Sequence, residues 1–301
     1  MRHSCLVLLM FLACLPAQAA DCAKASIWVS ALDKSGTVEK SLKAEDLRVE
    51  VGGEPAQILS FVSDEQPRRV LVMVDTSARM RTSPWESSLR VVLTVAEFAA
   101  NTLPSESSAL LLTFGDDVIP ESDEFETRQQ VGQRILDLSE KKPRGRTLLF
   151  DAIDKALATF GDAQFGDSIY LVTDGGDDGS KISYSKIREK LAQRGVRVFV
   201  FLAVVAPYSQ AATDLMGDLE RYTGGAFVDI PQGWKDDQAR RTRLAAQVSD
   251  QVGELYKIQL QTPDPGHKST KIKAALANQT LKEDGHTVTF TRELPPCQSN
   301  P

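Results

Sequence analysis

An apolar run of β-forming residues, Val70-Leu71-Val72-Met73-Val74, stops abruptly at Asp75-Thr76-Ser77, and this junction constrains the chain more than any other segment. Apolar residues in succession, without alternation, suit a strand covered on both faces, as in a parallel sheet flanked by helices. In such open α/β sheets ligands bind in the crevice outside the carboxyl ends of the strands, which is where Asp75 falls. Two more stretches read the same way: Ile169-Tyr170-Leu171-Val172 before Thr173-Asp174, and Val198 to Ala206, apolar throughout.

Between residues 67 and 234 strand and helix patterns alternate, the signature of a doubly wound, mostly parallel α/β sheet. After the strand ending at Asp75, a helix is expected from Pro84 to Thr102, with Val91, Val92, Val95, Ala96, Phe98 and Ala99 on a helical period. Ser83-Pro84 supplies its cap and a proline suited to the first helical position. The expected series continues with strand Ala109–Phe114, an acidic turn at Gly115-Asp116-Asp117, and helices near Arg128–Leu138 and Leu148–Phe160. Strand Ser168–Thr173, helix Ser183–Arg194, strand Val196–Val205, helix Ala211–Tyr222 and strand Ala226–Ile230 complete it.

The two ends of the chain read as β-structure. Ser26 to Leu32 and Leu47 to Val51 alternate, Gly52-Gly53 marks a hairpin turn, and Ala56 to Val62 is expected to return as its second strand. Gln66-Pro67-Arg68-Arg69 reads as a short polar joint. Beyond a helix from Asp236 to Leu255, Tyr256–Gln261, Lys271–Leu276 and His286–Thr291 are further strands. The expected organisation is therefore a leader at 1–20, an N-terminal β-rich segment at 21–66, an α/β domain at 67–234, and a connecting helix with C-terminal strands at 235–301. The last segment is expected to pack with the first.

The leader reading rests on Arg2 and His3, an apolar run from Cys5 to Leu15, and small residues at Ala17-Gln18-Ala19-Ala20. The run is too short to span a bilayer, and Cys14 after Phe11-Leu12-Ala13 matches a lipid-attachment box poorly. An exported protein, periplasmic or extracellular, with no membrane span is expected. The chain of 301 residues carries a net charge of −6, and losing Arg2 with the leader makes it more acidic, which argues against nucleic acid as partner. Of four cysteines, Cys22 and Cys297 remain after cleavage. In an oxidising compartment a disulfide between them is plausible, worth about 4 kcal/mol in the chain-entropy model; two free thiols on the chain ends are the alternative.

Three fragments together resemble a von Willebrand factor type A domain: Asp75-Thr76-Ser77-Ala78-Arg79, Gly145-Arg146-Thr147, and Thr173-Asp174-Gly175-Gly176. Leu42 to Val49, Ile58-Leu59-Ser60-Phe61, Thr223-Gly224-Gly225 and Tyr256-Lys257-Ile258 are similar to landmarks of exported bacterial relatives. The resemblance implies a metal-ion-dependent adhesion site with Asp75, Ser77, Thr147 and Asp174 as ligands. It also implies Mg²⁺ or another divalent cation, with an acidic side chain of a protein partner completing the coordination. Such oxygen donors suit a hard cation.

Arg79 departs from the family pattern, standing where a second serine belongs. A guanidinium cannot ligate a cation. Pointing inward it would repel one by about 4 kcal/mol per unit charge at about 4 Å and an effective dielectric near 20, while satisfying the aspartates equally well. Arg79 is thus either a built-in counter-ion or a solvent-facing residue beside a weakened site. Asp177-Asp178 and Asp116-Asp117 read as solvated turns.

A non-enzymatic protein-binding, adhesion-like module is the leading reading, and a metal-independent structural or assembly component of the cell envelope is the alternative. A hydrolase lacks its players. Outside the leader the chain has only His267 and His286, no Gly-x-Ser-x-Gly surrounds Ser77, and Gly175 to Ser180 lacks the lysine of a phosphate loop. Trp28, Trp85 and Trp234 are expected to pack against neighbouring elements. The oligomeric state is left open by the sequence.

Overall fold

The computed structural model describes residues 23–64, 66–81, 88–203, 210–229, 237–262 and 269–294. Its strands are β1 (Lys24–Leu32), β2 (Leu47–Val51), β3 (Glu54–Pro55), β4 (Gln57–Asp64), β5 (Arg69–Asp75), β6 (Ser108–Phe114) and β7 (Val118–Pro120). They continue with β8 (Ser168–Thr173), β9 (Arg197–Leu202), β10 (Phe227–Asp229), β11 (Leu255–Gln261), β12 (Thr270–Leu276), β13 (Thr287–Phe290) and β14 (Glu293–Leu294). The helices are α1 (Ser88–Asn101), α2 (Arg128–Asp137), α3 (Leu149–Thr159), α4 (Tyr184–Arg194), α5 (Gln210–Thr223), α6 (Gln238–Gly253) and α7 (Gln279–Glu283). The leader, Ser83-Pro84, Trp85, Trp234, His267 and both Cys22 and Cys297 lie outside the described residues.

The central sheet has the order β10-β9-β8-β5-β6-β7 and is parallel except for the β6–β7 pair. From β5 the chain builds outward to β6 and β7, then returns to lay β8, β9 and β10 on the other side of β5. This reversal opens a crevice at the carboxyl ends of β5 and β8, the switch point where doubly wound sheets bind ligands. Strand pleating sends Val70, Val72 and Val74 to one face, where α1, α2 and α6 pack, and Leu71 and Met73 to the other, under α3, α4 and α5. Each fully buried aliphatic side chain stabilises the fold by about 1.5 to 3 kcal/mol relative to exposure. Helix α4 shows how local signals set the boundaries: Ser183 caps its start and Gly195, at φ 63°, ends it in the left-handed conformation.

Both ends of the chain combine in two antiparallel four-stranded sheets, β13-β1-β11-β4 and β14-β12-β2-β3. Ile27, Val29 and Ile258 of the first meet Val49, Val51 and Ile272 of the second in a shared core, making a sandwich. The expected hairpin partner of β2 is corrected here. Only Glu54–Pro55 folds back on β2 at Gly52-Gly53, and the following strand, β4, crosses to the other sheet and pairs with β11. Alternation in the sequence specifies which face of β4 is covered but not which strand it adjoins. Three short elements, β7, α7 and β14, were not expected at all; β7 is a three-residue edge strand ending in Pro120.

The polar joint at Gln66 to Arg69 carries a buried charge. Arg68 is buried at the amino end of the sheet, donating to the carbonyls of Asp64 and Gly253 and to the Asp64 carboxylate at 3.3 Å. Nearby, Arg197 is equally buried, donating to the carbonyls of Gly224 at 3.3 Å and Gln251 at 2.6 Å and lying over Trp28 and Phe199. Burial and the adjacent Arg68 charge push Arg197 down to about 9, so it stays charged at neutral pH. Trp28 is packed, as expected, against Gly224.

Candidate functional site at the carboxyl edge of the central sheet

Asp75 ends β5 with its side chain fully buried. One carboxylate oxygen accepts from the Ser77 amide at 3.0 Å and the other from the Thr173 hydroxyl at 2.9 Å. Burial pushes its pKa up to about 6, and the charge of Asp174 adds to the rise, while the Ser77 and Thr173 hydrogen bonds oppose it. The Thr147 hydroxyl donates to Ser77 Oγ at 2.7 Å. The result is a buried polar chain in which Thr147, Ser77, Asp75 and Thr173 satisfy one another across three loops.

Backbone bonds fix those loops together. The Thr76 amide donates to Phe114, Ala78 to Gly145, Arg144 to Thr76 and Leu148 to Gly115. The loop after β8 closes the crevice from the far side. Asp174 accepts from the Gly176 amide at 2.9 Å, and Asp178 accepts from the Thr147 amide at 3.0 Å. Asp177 accepts from the amide of Leu149, the first residue of α3, and from those of Gly179 and Ser180.

Arg79, in a short 3-10 turn over Ala78–Arg81, reaches across to this loop. Its Nε donates to Asp174 Oδ2 at 3.1 Å and its Nη1 to Asp178 Oδ1 at 3.1 Å, with 41% of the side chain exposed. Burial alone would lower the guanidinium pKa, but the charges and hydrogen bonds of Asp174 and Asp178 outweigh it and hold the proton more firmly than in free arginine. The guanidinium lies against Gly176, where an added Cβ would sit 2.5 to 2.7 Å from its carbon and terminal nitrogens.

Asp75, Ser77, Thr147 and Asp174 are therefore brought to one crevice, and Arg79 points inward. Thr173 and Asp178 belong to the same constellation and were missed. Thr173 carries no signal beyond its place at a strand end; Asp178 was visible but read as a solvated turn, whereas it and Asp177 tie the loops together. Donor chemistry tests whether a divalent cation fits. The oxygens are of the right kind, but the carboxylates of Asp174 and Asp178 already hold a fixed cation that cannot serve as a ligand. With Arg79 in this position the residues do not fit a divalent ion.

An open, mostly parallel sheet with charged loops at its switch point defines a doubly wound α/β domain, the architecture in which ligands bind outside the carboxyl ends of the strands. The match to a family model is specific: residues 70–219 fit the von Willebrand factor type A domain, and this part of the chain is such a domain. Among solved structures, the chain is similar to the conserved hypothetical protein BatB from Bacteroides thetaiotaomicron, at 13% identity over 60% of this chain and 98% of that one, TM-score 0.45. A von Willebrand factor type A protein from Catenulispora acidiphila is 8% identical over 92% and 75%, TM-score 0.45. Manganese-loaded TRAP protein from Plasmodium vivax is 14% identical over 79% and 99%, TM-score 0.42. No curated protein matches the chain significantly.

Proposed function

We propose that the protein is a non-enzymatic, exported protein-binding module, acting in the periplasm or outside the cell, whose binding face is formed by Arg79, Asp174 and Asp178 above the buried Asp75, Ser77 and Thr147. One observation carries this reading: charged side chains from loops distant in sequence converge on the open end of a rigid sheet, with Arg79 still 41% exposed. Export is supported by the leader pattern of residues 1–20. Among the described residues no helix is long and apolar enough to cross a membrane.

Catalysis has no support in the crevice. The Ser77 hydroxyl is engaged by Thr147 and Asp75, and His286 lies in the sandwich beside Glu39. An acidic partner group, the natural ligand of a metal-bearing site, is disfavoured, because Asp174 and Asp178 outnumber the single guanidinium. A neutral or basic contact from the partner fits better.

In-cell crosslinking of the exported chain tests the reading. Asp178→Arg should abolish a crosslinked species that wild type forms and that Lys282→Glu, on the distant α7, retains. Retention of the same species by Asp178→Arg would place the binding face elsewhere.

A further inference from the structure

We propose that Arg79 is the resident cation of the crevice and that it excludes divalent ions from it: the domain has exchanged a removable metal for a tethered guanidinium. The inference rests on the crevice being the domain's site, but not on any partner.

Three independent features of the geometry converge on it. The guanidinium is held at two points, 3.1 Å from Asp174 and 3.1 Å from Asp178, carboxylates on the same loop that also bind backbone amides of that loop and of the Thr147 loop. It therefore ties the loop after β5 to the loop after β8, whose Asp178 in turn holds the Thr147 amide before α3, a joining role a coordinated ion would otherwise perform. Second, the sequence makes room for it. Gly176 leaves the space above the backbone open, and any side chain there would overlap the guanidinium carbon and both terminal nitrogens. Third, the remaining oxygens are knitted into one network, the Thr147 hydroxyl donating to Ser77 Oγ and the Ser77 amide and Thr173 hydroxyl donating to Asp75. An entering ion would have to break this network and also displace a like charge from both carboxylates.

The consequence is a crevice whose shape and charge do not depend on ambient Mg²⁺, Mn²⁺ or Ca²⁺. Purified, leader-free protein titrated with Mn²⁺, with the free ion followed by electron paramagnetic resonance, tests this directly. Wild type should leave the free-ion signal unchanged and melt at the same temperature in chelator and in millimolar Mg²⁺. Arg79→Ser should take up one equivalent of Mn²⁺, about tenfold or more tighter than wild type, and gain thermal stability with the ion. Adding Asp75→Ala should abolish that gain, and Arg79→Lys, which keeps the charge, should remain silent. If Arg79→Ser does not fold, Arg79→Gln carries the same comparison. Stoichiometric Mn²⁺ uptake by wild type that is lost in Asp174→Ala would overturn the proposal, as would folded Arg79→Ser and Arg79→Gln proteins that both fail to bind. Neither result depends on whether the crevice meets a protein partner.

Discussion

The two ends of the central sheet both recruit arginines and use them in opposite ways. At the amino end, Arg68 and Arg197 are each only 1% exposed and bond mostly to backbone carbonyls of the segments that lead into the sandwich. At the carboxyl end, Arg79 bonds to carboxylates and keeps a large part of its surface in water. A guanidinium surrounded by carbonyls and aromatic rings is a joint of the core; one shared between carboxylates at an open edge is a tethered charge at the surface. The difference teaches where in this molecule sequence changes should unfold the protein and where they should only retune it.

The largest effect is expected at the joint. Arg197→Ala would leave the Gly224 and Gln251 carbonyls without their donor and open a cavity beside Trp28 and Phe199, at a cost of about 3 to 5 kcal/mol. Arg197→Met, which refills the volume, should recover part of this. Among the described residues the Nη1 of Arg197 and the Nε of Arg68 find no hydrogen-bond partner. Chemical denaturation measures both variants. A loss for Arg197→Ala no greater than that of an exposed substitution would erase the distinction between the two ends.

A second, smaller effect belongs to the crevice and depends on pH. Asp75 has its pKa raised from 3.8 to about 6 in the folded state, so the fold binds this proton more tightly than the unfolded chain does. The contribution of Asp75 to stability is therefore greatest below pH 3.8 and declines as pH rises to about 6, by about 3 kcal/mol in all. In Asp75→Asn the amide can donate to Thr173 while its oxygen still accepts from Ser77, and that decline should vanish. The stability of Asp75→Asn minus that of wild type should thus increase between pH 4 and pH 7; a difference independent of pH would show that Asp75 is not a strained carboxylate.

The same contrast explains what could be read from the sequence. Strands buried on both faces announce themselves, and Ser168–Thr173 is found at the residues expected of it. The four oxygen-bearing residues of the crevice carry a recognisable order along the chain, and Arg79 stood out because it broke that order. Arg68 and Arg197 could not be read, since charged side chains are by default placed outside and only tertiary contacts justify burying them. Asp178 was misread for a related reason: acidic residues beside glycine usually make solvated turns, and its partners, Thr147 and Arg79, come from distant parts of the chain. The crossing of β4 to the sheet of β1 and β11 was likewise invisible, because a period of two fixes a face and leaves the neighbour open.

The smallest effect should come from Gly176, and setting it beside Gly225 restates the contrast in a pair of substitutions. At the joint, a Cβ on Gly225 would lie 1.9 Å from the carbonyl oxygen of Val198, in a central strand that cannot move aside. At the crevice, a Cβ on Gly176 would lie 2.5 Å from Arg79, but its neighbour is the far end of a flexible, partly exposed side chain. Gly225→Ala should therefore destabilise by several times more than Gly176→Ala, whose cost should stay near about 1 kcal/mol, the net value of exposed ion pairs lost when Arg79 swings out. Comparing the two variants in one denaturation series checks this. If Gly176→Ala proved the more damaging, the Arg79 bridge would be as rigid as the buried joint, and the crevice would have to be regarded as part of the structural core.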